Sequence, residues 1–232
     1  MKRVLVLFLV VSILFCAVPA LASDNSDRPT ILFRGNPWGS TYEEVIASFP
    51  ETIRWDKLDE DSSYSIADTM IGNHKKYFDG HVCCYTSPWS SSLDGFKVAG
   101  YDVSYIQLRF AYVPEDDGLL VKDADHTALF YAEYRIDSRD PNAAYEDLKI
   151  KLDELYGDIS EPCSPDYKYT TFGYMWKGNE GTMVVLSKDY WYTNPRIEIR
   201  YGFQGADDLL QSALDALAYE ESLEAKMNYS GL

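Results

Sequence analysis

The chain has 232 residues, with 37 Asp and Glu against 21 Lys and Arg and a formal net charge of −16. So acidic a surface repels phosphate backbones and anionic headgroups, which argues against nucleic-acid binding and electrostatic attachment to membranes. Aromatic residues make up 15% of the chain, 19 Tyr among them, which excludes a disordered polymer and favours sheet.

At the N-terminus, Lys2 and Arg3 precede an apolar run over 4–18, and Ala20-Leu21-Ala22 offers the small residues a signal peptidase reads. The run is too short to span a bilayer and the acidic stretch behind it lacks a basic flank. The pattern predicts a signal peptide over 1–22 and a mature chain from Ser23. It also predicts a secreted or periplasmic protein of bacterial type, with no membrane insertion after cleavage. Phe15 is too bulky to precede a lipidated cysteine, so Cys16 is not expected to carry lipid.

The first folded element is a short extended piece at 31–34 with a turn over 35–39. Thr41 with Glu44 forms a capping box that starts a helix, and Ser40 with Glu43 forms an equivalent box one residue earlier. Val45, Ile46 and Phe49 supply its apolar face and Pro50 ends it. Residues 51–80 are polar and poorly periodic, with a short helix at 65–71. From Val82 the pattern becomes β, with strands at 82–86, 97–103, 105–113 and 127–136 forming an antiparallel meander. Ile106, Leu108, Phe110 and Tyr112 alternate with Gln107 and Arg109, and Phe130, Ala132, Tyr134 and Ile136 with Glu133 and Arg135. Such alternation reads as one buried face and one wet face.

Asp140 as cap, Pro141 at the first helical position and Gly157 as stop bound a second helix, whose apolar stripe is Tyr145, Leu148, Leu152 and Leu155. Strands at 169–177, 182–187 and 196–202 follow, the first two joined by a hairpin loop over 177–181. A last helix covers 206–219 with Leu209, Leu210, Ala213, Leu214 and Leu217 inward, and 221–232 read as a flexible tail.

This order predicts an α+β fold: antiparallel sheet with helices packed on one face. It divides into units over 23–137 and 138–220 packed as one globule. Tyr42-Glu43-Glu44-Val45 and Tyr145-Glu146-Asp147-Leu148 open the two helices alike, which suggests helix-plus-sheet units in tandem.

The spacing of Gly39, Thr41 and Val45 at the start of a helix ahead of a sheet resembles the helix opening of two groups of small exported proteins. These are the outer-membrane assembly lipoproteins and the β-lactamase inhibitor proteins. The fuller string Phe33-Arg34-Gly35-x-Pro37-Trp38-Gly39 is similar to the start of uncharacterised secreted bacterial proteins. The resemblance implies a fold of helices on a sheet and a role in protein binding without catalysis. The chain departs from the first group in lacking its lipidation cysteine.

Three cysteines follow the signal: Cys83, Cys84 and Cys163. One disulfide between Cys163 and either member of the vicinal pair is expected, with Cys84–Cys163 the pairing adopted. Neighbours on a strand point to opposite faces, so only one of the pair can face it. His74 and His81 with Cys83 and Cys84 match no structural zinc spacing, so neither metal nor cofactor is expected. The acidic run 115–118 reads as a solvated turn, being too short for a calcium loop. Asp123, Asp125 and His126, with Cys84 as nucleophile, form the one acid–base set open to an envelope hydrolase, and no nucleophile turn or zinc-protease motif accompanies it. The stronger signal is aromatic: Trp89 in the small-residue loop 87–92, and Tyr190, Trp191 and Tyr192 between two strands. The leading reading is an exported, non-enzymatic module that recognises a protein or cell-wall polymer through its sheet face and aromatic loops.

Overall fold

Alternating aromatic and aliphatic side chains build one antiparallel sheet from both halves of the chain. The computed structural model describes residues 28–58, 82–88, 93, 95–157, 161–163, 170–189 and 195–230. Within these, the first half comprises α1 (Tyr42–Ile46), β1 (Asp56–Leu58), β2 (Val82–Thr86), β3 (Lys97–Val98), β4 (Tyr101–Tyr112) and β5 (Thr127–Ile136). The second comprises α2 (Pro141–Tyr156), β6 (Glu161–Cys163), β7 (Thr170–Lys177), β8 (Thr182–Asp189) and β9 (Arg196–Phe203), and α3 (Ala206–Ser230) closes the chain. The strand order is β1-β2-β4-β5-β9-β8-β7-β6, with β3 folded back on β4. Each half is thus a helix followed by a four-strand meander, and the last strands of the two meanders, β5 and β9, lie side by side.

The tandem reading has side-chain support in the equivalent places the two helix-opening tyrosines occupy. Tyr42 stacks on Tyr85 of β2, and Tyr145 meets Tyr174 of β7, the second strand of its own meander. Three residues on, Val45 and Leu148 are both fully buried. The capping box forms on Thr41, whose Oγ1 accepts the Glu44 N–H while Glu44 accepts the Thr41 N–H at 2.9 Å. Asp140 caps α2 by accepting the Ala143 N–H at 3.0 Å.

Register sorts the side chains. Cys83, Tyr85, Leu108, Phe110, Tyr134 and Tyr201 share what we call the near face. Segment 31–49 covers it, with Phe33 against Tyr134 and Tyr201, and α2 covers it further along, where the Trp176 indole N–H donates to Asp153 at 2.9 Å. On the far face, Ala111 and Ala128 oppose one another, and such small side chains admit close approach by a helix. α3 rests there against β4 and β5, with Leu210 and Ala213 fully buried.

Several expectations are corrected. The central strands have no wet face, because Gln107, Arg109 and Glu133 are buried as fully as their apolar neighbours. The strand predicted over 97–103 is a hairpin, turned at Ala99 and Gly100, where both residues have positive φ. The short edge strands β1 and β6 went unread. Leu155 is 64% exposed, and Tyr156 takes its place against the core. Residues 221–230 continue α3 where a flexible tail was expected. The helix predicted at 65–71 lies outside the described residues.

Gly178 marks the tightest approach of the N-terminal segment to the sheet. A Cβ there would stand 2.5 Å from the Pro29 carbonyl oxygen and 2.8 Å from Ile31. Gly178→Ala is therefore expected to lower stability by about 1–3 kcal/mol, the usual cost of overpacking. Urea unfolding measures it, and an unchanged midpoint would show that segment 29–31 can yield.

Candidate functional site

The sequence feature that organises the far face is a repeated Glu-x-Arg: Glu133-Tyr134-Arg135 in β5 and Glu198-Ile199-Arg200 in β9. Antiparallel pairing sets Glu133 opposite Arg200 and Arg135 opposite Glu198. Four charges therefore alternate in sign where the two halves meet. Arg135 Nε donates to Glu133 at 2.5 Å and lies 3.4 Å from Glu198, and Tyr131 donates its hydroxyl to Glu133 at 2.5 Å. Arg200 donates to Ser187, and Arg109 donates to Gln107 at 3.0 Å while lying over the Tyr131 ring. Burial alone would raise the Glu133 carboxyl. The charge of Arg135, the Tyr131 hydroxyl and the charge of Arg200 outweigh it and hold the carboxyl below its ordinary range.

The vicinal thiols fall on opposite faces, as strand geometry requires. Cys83 lies on the near face beside Tyr112 and Lys57, and burial pushes its thiol up to about 12. Cys84 lies in the polar layer with Arg109 and Gln107, and burial again raises its thiol despite them. Both are free. Cys163 stands on β6 at the opposite edge of the sheet, six strand positions from β2. At about 4.8 Å per position that is far beyond the roughly 7 Å Cα limit of a disulfide, so the Cys84–Cys163 bridge is not made.

The residues 33–39 that carried the resemblance prove to be an anchor. Arg34 and Gly35 both have positive φ in a two-residue turn closed by paired Phe33 and Asn36 backbone bonds. Phe33 is buried, Arg34 donates to the Ser48 carbonyl and lies over the Phe49 ring, and Trp38 donates to the Ile31 carbonyl at 2.9 Å and stacks on Phe203. Gly39 and Ser40 then bond to Leu129, extending the ladder where β9 has stopped pairing with β5. Asn36 to Ser40 and Glu44 line a shallow depression of about 410 Å³.

At the same end of the sheet, His126 lies between two carboxylates, with Nδ1 2.7 Å from Asp123 and Nε2 3.3 Å from Glu115. The hydrogen bond that the ring donates to Asp123 and the surrounding negative charge raise its pKa. Cys84 does not join it. The thiol is level with Tyr131, five residues along β5, or about 16 Å at strand rise.

The expected contact residues Trp89, Tyr190, Trp191 and Tyr192 lie outside the described residues, as do His74 and His81. The strands that lead into them are described. β2 runs antiparallel to β4, β4 to β5, β5 to β9 and β9 to β8. β2 and β8 therefore point the same way, and the chain leaves both toward the same end of the sheet. The polar layer was missed because Glu133 and Arg135 looked like an exposed strand face; their recurrence as Glu198 and Arg200 was the available signal. Set against protein-family models, curated proteins and solved structures, the chain matches none of them.

Two outcomes follow from the buried layer. Glu133→Gln removes the buried carboxylate charge that faces Arg135 and Arg200, and should cost about 3 kcal/mol at neutral pH. Because the folded pKa is depressed, the wild-type advantage is complete above the ordinary value of 4.5 and disappears as pH falls through the folded value. Urea titrations at neutral and acidic pH check both the size and the sign. In the native protein, Cys83 and Cys84 should resist iodoacetamide at mildly alkaline pH and react once denatured. Rapid native labelling of Cys84, read by mass spectrometry, would contradict the burial of that thiol.

Proposed function

We propose that the protein is an exported, non-enzymatic binding module that takes a protein or cell-wall polymer at one end of its sheet. The observation that carries this reading is the shared direction of β2 and β8, which brings their last residues, Thr86 and Asp189, to the same end of the sheet. Four strand positions separate them, or about 19 Å. Aromatic-rich sequence following two strand ends at that spacing suits an extended partner, since aromatic residues offer large contact area at small entropic cost. Contact through a sheet face receives no support, since β4 and β5 are buried on both sides. The sequence pattern over 1–22, read as an export signal, supports a partner outside the cytoplasm.

The pairing at His126 favours a second reading, an envelope hydrolase with Asp123 or Glu115 orienting the ring as base. It predicts release of soluble fragments from wall material that is lost in His126→Ala and retained in Cys84→Ala.

The binding reading is tested by co-sedimentation with insoluble wall material and by capture from envelope and culture proteins. Saturable binding is expected, and the Trp89→Ala/Trp191→Ala double variant should bind about 30-fold more weakly, the effect of truncating a central aromatic anchor. Absence of saturable binding by the native chain, or undiminished binding by a folded double variant, would falsify it.

A further inference from the structure

The β4–β5 connection, residues 113–126, is a folded excursion with its own dock. Its neck is closed by the Val113 N–H donating to the His126 carbonyl at 2.9 Å, and its tip by Pro114 pairing with Leu120. Leu120 is buried, and its N–H donates to Glu220 of α3 at 2.6 Å. Gly118 lies against the Tyr219 ring. The excursion thus holds the second half of α3, and His126 spans it from the neck to the turn that carries Leu120.

We propose that His126 is a pH-sensitive latch on this dock. Its two ring nitrogens face carboxylate oxygens, Asp123 at 2.7 Å and Glu115 at 3.3 Å, and an ionised carboxylate only accepts hydrogen bonds. The Asp123 contact is a hydrogen bond and the Glu115 contact an ion pair, and both are favourable together only in the imidazolium form. The two ends are not equivalent. Asp123 is fixed by the backbone, since its Oδ1 also accepts the Asp125 N–H at 3.1 Å and the His126 N–H at 3.0 Å. A neutral ring therefore keeps its hydrogen on Nδ1 and turns the Nε2 lone pair toward Glu115, so Glu115 is the contact that lets go.

The charged groups facing the ring are Asp123, Glu115 and Asp125 from its own loop. From α3, Glu220 and Tyr219 meet the same excursion at Leu120 and Gly118. These carboxylates favour the protonated ring, in agreement with its raised pKa. The sign follows from that direction. The latch is fully closed below the ordinary histidine value of 6.5 and opens as pH rises through the higher folded value. Opening loosens the hold on α3 while the β5–β9 seam stays paired.

Nuclear magnetic resonance titration of the full chain tests this directly. The His126 ring should titrate above 6.5, and the Leu120 and Glu220 amides should follow the same midpoint. Corrected amide protection at Leu120 should fall about two- to fivefold from about pH 6 to about pH 8.5, the factor equivalent to one exposed ion pair. The fall should vanish in His126→Gln, and Glu115→Gln should lower the His126 midpoint while leaving Leu120 insensitive to pH. A His126 midpoint at or below 6.5, Leu120 protection that ignores it, or the native slope surviving in His126→Gln each overturns the latch.

Discussion

The seam between β5 and β9 is the constraint on which the remaining structure depends. It joins the two meanders into one sheet and does so with buried charge. Glu133 and Arg200 can lie out of water, with Arg135 and Glu198 half-buried beside them, because antiparallel pairing sets each opposite a partner of the other sign. A one-residue slip of β9 would turn Glu198 and Arg200 onto the aromatic near face and leave both pairs uncompensated. Apolar packing would accept several registers here, whereas charge pairing accepts one, so the polar layer contributes uniqueness more than raw stability.

Everything else is hung on that seam. Segment 31–49 and α2 cover the near face in equivalent ways, each helix opening with a tyrosine set against the second strand of its own meander. The string from Phe33 to Gly39 holds this cover in place through a tight turn, a guanidinium over a ring and an indole bonded to backbone. α3 takes the small-residue end of the far face. With both broad faces occupied, the ends of the sheet are what remains accessible: β2 and β8 run out at one of them, while His126 and the Asn36–Ser40 depression sit at the other.

Legibility in the sequence followed the range of the interactions. The Thr41 box and the Asp140, Pro141 and Gly157 boundaries were readable because capping joins residues within one turn. β1 and β6 were unreadable, three residues being too few to show a period. α3 was read as ending near Tyr219 because Glu220 and Glu221 lower its apolar content. Glu220 instead reaches Leu120, a hundred residues away in sequence. The candidate contact residues were chosen on composition alone, and sequence could not say that β2 and β8 share a direction.

The amino-acid order by itself determined the α+β class, the antiparallel meander and most element boundaries, because these arise from periodicity and from contacts between near neighbours. Only the tertiary structure decided that the polar strand faces are covered, that Cys84 and Cys163 stand at opposite sides of the sheet, and that β2 and β8 run toward one end. Alternation looks the same whether the polar side meets water or a paired charge. Strand order is set by which surfaces bury one another across the whole chain, a property that no local stretch contains.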